Sequence, residues 1–308
     1  MIDGSVLAAV SGGADSTAML HMLAAAGGKV VAAHYNHGLR EAADGDESFV
    51  QALCGQWGVP FVSERGAVPS GAGVEARARE LRYDFLERVR AGRGLDWIAT
   101  AHTADDNAET AIMNLTRGAG LSGLCGIPYR RGRILRPILS LSREDVLGYL
   151  AERDIPYRKD ESNDDTAYRR NYIRHEVIPA LKRVNPSLTD AVTRLTASLR
   201  EDEAYLTELA QAELDAHTPY PAKRLTGLPK PVAARVCRLL VTDAGGAPPE
   251  RLHVEAMLDI AAGGNGRKRN MAGGLTAAKK NGMIVVEKTN RRNDCYAPGF
   301  GEDTADGE

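Results

Sequence analysis

No CxxC pair occurs in this chain, whose four cysteines, Cys54, Cys125, Cys237 and Cys295, stand far apart. That spacing argues against a disulfide scaffold, a zinc ribbon and an iron–sulfur cluster, and leaves the thiols as reduced bystanders. No stretch approaches the roughly 18 apolar residues of a membrane span, so no membrane partner is expected. The first residues, Met1-Ile2-Asp3-Gly4-Ser5, lack the basic segment of a secretion signal, and the expected location is the cytoplasm. There is no internal repeat. Net charge is nearly absent too, at −2, but it is unevenly spread. Residues 1–110 hold 15 acids against 9 Lys/Arg, whereas residues 117–200 hold 16 Lys/Arg against 10 acids. A basic middle of that size is either a salt-bridged surface or a local site for a phosphate backbone.

One further absence is the most informative. Ser11-Gly12-Gly13-Ala14-Asp15-Ser16 follows the apolar run at 6–10 and precedes an apolar-rich segment from Thr17, a strand–loop–helix pattern, yet no lysine stands in or just after the loop. It is therefore not the GxxxxGK[ST] loop of enzymes that usually cleave the γ-phosphate. Gly12 and Gly13 let backbone N–H groups approach a polyanion at a helix N-terminus. The Ser11 and Ser16 hydroxyls and Ala14 complete the cradle, and Asp15 suits a magnesium ion bridging phosphate oxygens. The pattern SGGxDS resembles that of ATP pyrophosphatases, which release pyrophosphate and leave AMP on a substrate.

At 308 residues two domains are expected. Strand signals at 6–10, 30–34, 60–63 and 97–101 alternate with helix signals at 16–26, 44–58, 73–91 and from 105. This predicts an α/β fold with a doubly wound parallel sheet whose ligands sit at the carboxyl ends of the strands. Extended residues 134–138, a helix over 142–153 with Ser142 as N-cap, a polar loop over 159–170 and then a segment over 171–181 follow. Pro186 is expected to open a long amphipathic helix to about 216. Residues 217–221 read as a hinge, 231–244 and 253–261 as helices and 283–286 as a strand. The expected organisation is a catalytic domain over 1–185, a connector helix over 186–216, a small α+β substrate-binding domain over 217–290 and a loose tail over 291–308.

Chemistry gathers after the strands. His34 and Asn36 lie at the tip of the second strand, where such folds meet adenine and ribose. His34 and His37 have the spacing of metal ligands, but no Cys, Asp or Glu completes that set locally. In Thr100-Ala101-His102-Thr103-Ala104-Asp105-Asp106-Asn107-Ala108-Glu109-Thr110, a helix from 105 puts Asp106 and Glu109 on one face, and Asp105 and Glu109 on another pairing. Such carboxylates cap a helix, bind magnesium, grip an amine or act as a base. Arg117 opens a glycine-rich segment suited to phosphate. Arg77 and Arg82 project from a helix, either solvated or on substrate, and Arg169, Arg170 and Arg174 suit an RNA backbone.

Together these residues resemble the tRNA(Ile)-lysidine synthetase family within the PP-loop superfamily. The resemblance rests on NHGLR at 36–40, EARxxxLRY at 75–83, TAHxADDxAET at 100–110, RGxGxxGLxGI at 117–127, RPI at 136–138 and DxSNxDxxYxRNxIR at 160–174. It covers about residues 5–181, and more weakly the region from Leu228 to Leu275. The chain reads as a short form without a further C-terminal domain. The family implies an adenine nucleotide alpha-hydrolase-like fold, with ATP and Mg2+ as cofactors and with free L-lysine and the CAU-anticodon isoleucine tRNA as partners. A homodimer is compatible with the pattern. By this resemblance ATP adenylates the carbonyl at carbon two of the wobble cytidine, and the lysine ε-amine displaces AMP. Asp15 would hold pyrophosphate with metal, Asp105, Asp106 and Glu109 would serve lysine, and Arg117 and the 169–174 arginines would position tRNA. The nearest alternative is a PP-loop tRNA 2-thiolation enzyme, which would be expected to need catalytic cysteines. An amidotransferase would need an N-terminal cysteine where Ile2 stands, and a non-catalytic nucleotide-binding module would not need this full set of polar residues.

Overall fold

Runs of two to seven residues, apolar in the central strands and too short for helices, become the strands of a mostly parallel sheet in the computed structural model. It describes residues 2–38, 43–66, 74–158, 169–217, 219–271 and 273–289. Contacts divide the chain into two units, Met1–Arg200 and Glu201–Glu308.

The first unit runs β1 (Val6–Ala9), α1 (Ala14–Ala25), β2 (Val30–Asn36), α2 (Ala43–Trp57), β3 (Phe61–Arg65), α3 (Val74–Gly92), β4 (Trp97–Ala99), α4 (Ala104–Thr116) and α5 (Leu121–Leu124). It continues through β5 (Arg130–Arg131), β6 (Ile134–Leu135), α6 (Arg143–Ala151), α7 (Arg169–Tyr172), a π-helical turn (Ile173–Val177), α8 (Ile178–Val184) and the first half of α9 (Leu188–Asp215). Among the described residues the sheet order is β3-β2-β1-β4-β6-β5. Its pairs are parallel except β5 with β6. Alternation along β1 serves both faces. Val6, Ala8 and Val10 pack with Met19 and Leu20 of α1, Val50 of α2 and Val146 of α6, while Leu7 packs with Phe85 and Leu86 of α3. A strand buried on both sides must be apolar throughout, which is why β1 shows no polar alternation.

The chain builds outward from β1 to β3, then crosses by α3 to lay β4 on the other side of β1. This reversal opens the carboxyl-end crevice in which doubly wound sheets hold ligands. The loops after β1 and β4 therefore stand side by side. The expected strand over 97–101 stops at Ala99, because the His102 N–H turns back to Thr100 O at 3.0 Å and Thr103 caps α4. The segment over 171–181 is one helical path broken by the π turn. Pro179 lacks the N–H that His175 O would receive, and a widened turn accommodates that loss. The long helix starts at Leu188 rather than Pro186, after a turn in which Asn185 accepts the Ser187 and Leu188 N–H groups.

The second unit takes the rest of α9, then β7 (Tyr220–Pro221), α10 (Ala222–Gly227), α11 (Lys230–Asp243), α12 (Arg251–Ala262), β8 (Lys268–Met271), β9 (Leu275–Lys280) and β10 (Met283–Lys288). Its described strands form an antiparallel sheet of order β7-β10-β9-β8. The core joins Ala210 and Leu214 of α9 to Tyr220, Val236, Met257, Leu275 and Ile284. The units thus divide within α9. Residues 217–221, expected as a hinge, carry the buried Tyr220 and the β7 edge pairing. The expected tail over 291–308 lies outside the described residues, as do Leu39, Arg40 and most of the polar loop, 159–168. Among the described residues no helix is long and apolar enough to cross a membrane.

Candidate active site

The loop after β1 is held by its own polar groups. The Ser11 N–H donates to Ser16 Oγ at 3.1 Å, the Ser16 hydroxyl donates to Gly13 O at 3.0 Å, and the two serine hydroxyls lie 3.2 Å apart. Thr17 Oγ1 donates to Gly12 O, and the Arg158 N–H reaches the same carbonyl at 2.9 Å. Gly12 sits at φ +91, where an L side chain is strained. Gly13, the N-cap of α1, offers no side-chain cap, so the first N–H groups of the helix keep no intrahelical acceptor and suit an anion. Asp15 projects from this first turn and ion-pairs with Arg143. Burial raises its carboxyl above the usual carboxylate range, and the Arg143 guanidinium works against that rise.

The first turn of α4 is built differently. Thr103 and Asp106 form a reciprocal capping box in which the Thr103 N–H donates to Asp106 Oδ2 at 2.9 Å. Glu109, one turn on, is only 2% exposed. A buried carboxylate needs partners, and they come from the π-turn region. Arg170 Nε and Arg174 Nη2 donate to Glu109 Oε2 at 2.9 and 3.1 Å, and Arg174 Nε to Oε1 at 2.5 Å. Both guanidinium groups also reach Asp106 Oδ1, at 2.8 and 3.3 Å. Two carboxylates and two guanidinium groups thus form one neutral, forked network. Burial opposes the charge on Arg174, but the Glu109 hydrogen bond and the Glu109 and Asp106 charges outweigh it and hold this guanidinium above the usual arginine value. Residues expected to serve lysine and residues expected to serve RNA are here in direct contact.

A loop with orphan N–H groups on a reversed parallel sheet, beside paired carboxylates, has counterparts among known proteins. The family model of the PP-loop domain matches residues 2–181. The chain belongs to the PP-loop domain family. Among curated relatives, the tRNA(Ile)-lysidine synthase of Porphyromonas gingivalis is 44% identical over 216 residues, 68% of this chain and 48% of that protein. The tRNA(Ile)-lysidine synthase of Thermus thermophilus is 38% identical over 288 residues, 90% of this chain and 56% of that protein. The chain spans about half the length of these relatives. The solved U34-tRNA thiolase NcsA from Methanococcus maripaludis, with its 4Fe-4S cluster, matches with a TM-score of 0.53 at 18% identity, over 65% of this chain and 72% of that one. At that identity the likeness is one of fold.

Around the PP-loop, Asp105 takes a scaffolding part. Its Oδ2 accepts the Arg143 N–H at 2.7 Å, its Oδ1 accepts Thr189 Oγ1 at 3.2 Å, and Lys182 Nζ lies 3.5 Å away. His34 is buried and donates from Nδ1 to Val10 O at 2.9 Å, which ties β2 to the root of the PP-loop. Asn36 donates to Asp44 and Glu47 and accepts the Gly38 N–H. Arg117 caps the far end of α4, about 16 Å along the helix from Asp106, and is exposed with Arg77 and Arg169. Arg77 pairs with Glu80, and Arg82 lies over Tyr83. The structure therefore groups Asp15, Asp106, Glu109, Arg170 and Arg174 and leaves Arg77, Arg117 and Arg169 at the surface.

Two further residues near these carboxylates escaped the sequence reading as site residues. His102, between β4 and α4, is held near Thr100 Oγ1 at 3.1 Å, and burial pushes its imidazole down to about 4, so it is neutral at physiological pH. Arg143 opens α6, where a cation opposes the helix dipole; that mismatch was the signal available in the sequence. As for metal, no group of three or more His, Cys, Asp or Glu is arranged to hold an ion among the described residues. A lone carboxylate beside a phosphate cradle fits Mg2+ bound chiefly through phosphate oxygens and water, and Asp15 is that carboxylate.

Proposed function

We propose that the chain is the catalytic part of a tRNA(Ile)-lysidine synthase. Its carrying observation is the pairing of β1 with β4, which sets a PP-loop without a lysine beside the buried Glu109 and the half-buried Asp106. In this reading the PP-loop, Ser11 to Ser16, holds the β- and γ-phosphates of ATP, with His34 and Asn36 supporting its adenosine side. The carbonyl oxygen at carbon two of the wobble cytidine, in the CAU-anticodon isoleucine tRNA, attacks the α-phosphorus. An oxygen–phosphorus bond forms, and pyrophosphate leaves. The ε-amine of free L-lysine then attacks carbon two, its carbon–oxygen bond breaks, and AMP departs. Mg2+, when bound, would offset the charge of the leaving pyrophosphate, and Asp15 would hold it.

Lysine must attack as a neutral amine, so one proton has to leave the ammonium form. In this reading Asp106 and Glu109 receive the amine and that proton, with Asp105 bracing the turn. In the structure their charges are met by Arg170 and Arg174, so amine entry requires an exchange of cationic partners. Guanidinium groups released by that exchange would face the RNA backbone together with Arg77, Arg82, Arg117 and Arg169. Sulfur transfer is the weaker reading. It asks for a reactive thiolate, whereas among the described cysteines burial pushes the Cys54 thiol up to about 11 and the Cys237 thiol up to about 12, and Cys125 is also buried; Cys295 lies outside the described residues.

The test is ATP-dependent incorporation of labelled lysine into an isoleucine tRNA transcript. Incorporation with stoichiometric AMP and pyrophosphate supports the assignment. Incorporation of sulfur or ammonia in place of lysine would overturn it.

A further inference from the structure

The PP-loop lacks a lysine in sequence, but it does not lack a cation in space. Arg143, 128 residues beyond Asp15, brings its guanidinium onto the Asp15 carboxylate. Its backbone is fixed independently of its side chain: the N–H is bound by Asp105 Oδ2 at 2.7 Å, and the preceding segment is tied to α4 where the Ala104 N–H meets Leu141 O at 2.8 Å. The side chain itself is 48% exposed, so the guanidinium is anchored at its root and free to turn at its tip. The Asp15 carboxylate is met by the Arg143 charge and hydrogen bond, which work against its burial, and a phosphate group offers the same guanidinium more negative charge. An arginine fork matches two oxygens of a phosphate as well as it matches a carboxylate.

We propose that Arg143 is the phosphate-binding cation of this PP-loop: it neutralises Asp15 in the empty site and turns onto the β- and γ-phosphates, and so onto the leaving pyrophosphate, when a metal-bound nucleotide arrives. No residue of the loop itself carries a positive charge, so the fold supplies one from the start of α6. The inference rests on reading the loop as an ATP site, but not on the identity of the acceptor.

Calorimetric titration of the full chain with magnesium pyrophosphate, ATP and AMP, without tRNA, tests it. Arg143→Ala should weaken pyrophosphate and ATP by about tenfold to a hundredfold, as expected for losing a charge-assisted pair. AMP, which has no β- or γ-phosphate, should bind within about twofold of the unchanged protein, and Arg143→Lys should recover part of the pyrophosphate affinity. Unchanged or tighter pyrophosphate binding, an equal loss for all three ligands, or no pyrophosphate binding by the parent chain would overturn the proposal. A parent chain that incorporates lysine while Arg143→Ala binds pyrophosphate normally would refute this inference alone. Selective loss of pyrophosphate binding in a chain that never incorporates lysine would refute only the reading of the acceptor.

Discussion

The PP-loop and the first turn of α4 stand at the ends of paired strands, yet one is built mostly from neighbours in sequence, with the Arg158 N–H on Gly12 O as its distant tie, while the carboxylates of the other are met from far away. Within residues 11–17 the serine and threonine hydroxyls close on backbone atoms no more than five positions distant. In α4, Glu109 depends on Arg170 and Arg174, 61 and 65 residues away. Asn107 likewise donates to Thr196 and accepts from Arg200 and the Ile127 N–H. A locally closed loop is ready for a polyanion before any ligand arrives, apart from the turning of Arg143. The carboxylates of Asp106 and Glu109, already met by two cations, would accept the proposed amine only through exchange. The first arrangement suits rapid nucleotide capture, and the second suits selectivity, because a ligand that cannot replace a guanidinium leaves the network as it is.

Substitutions separate the two regions. The largest effect is expected for Asp15→Ala, which should lower pyrophosphate release by about 10³-fold or more, the scale for groups that organise charge in a transition state, in a quench assay with tRNA and ATP. Next, Glu109→Ala should reduce lysine transfer by about 10²-fold while sparing adenylation. It should also lower stability by about 1–3 kcal/mol, because Arg170 and Arg174 lose a buried partner but remain partly solvated. Thermal unfolding reads the second effect.

A packing effect of similar size marks the long-range side. Gly126 has φ +66, and a Cβ there would stand 2.2 Å from Asn107 Oδ1, so Gly126→Ala should cost about 3 kcal/mol. Gly118, at φ +69 with open space around it, should cost only about 1–2 kcal/mol as alanine. Equal losses in chemical unfolding would show that the Asn107 contact is not what matters. A further effect is pH-dependent. His102 titrates near 4 when folded and near 6.5 when unfolded. The unfolded chain therefore binds the extra proton, and stability falls as pH drops from about 6.5 towards 4. His102→Gln should flatten that part of the stability curve.

What was legible follows the same division. Short apolar runs alternating with amphipathic segments report the sheet because each strand is buried on both faces, and the glycines and serines of the PP-loop report it because their partners are neighbours in sequence. The arginine partners of Glu109 were not legible as partners. Their spacing only marks one helix face, and the π turn that carries Arg174 arises from how Pro179 disturbs a helix. Arg143 was hidden in a helix start that read as ordinary capping by Ser142. The hairpin of β9 and β10 was open to reading and was missed: Asn281-Gly282 adopts φ +50 and +77, the positive-φ pair typical of two-residue hairpin turns.

The central claim is that the loop after β1 and the α4 carboxylates serve successive half-reactions. One reaction mixture of protein, ATP, labelled lysine and isoleucine tRNA transcript tests it, with pyrophosphate release and lysine incorporation followed together for the parent chain and for Glu109→Gln. The account predicts that Glu109→Gln keeps pyrophosphate release within about threefold of the parent while lysine incorporation falls about a hundredfold. Parallel loss of both signals, or lysine incorporation at the parent rate, would contradict it.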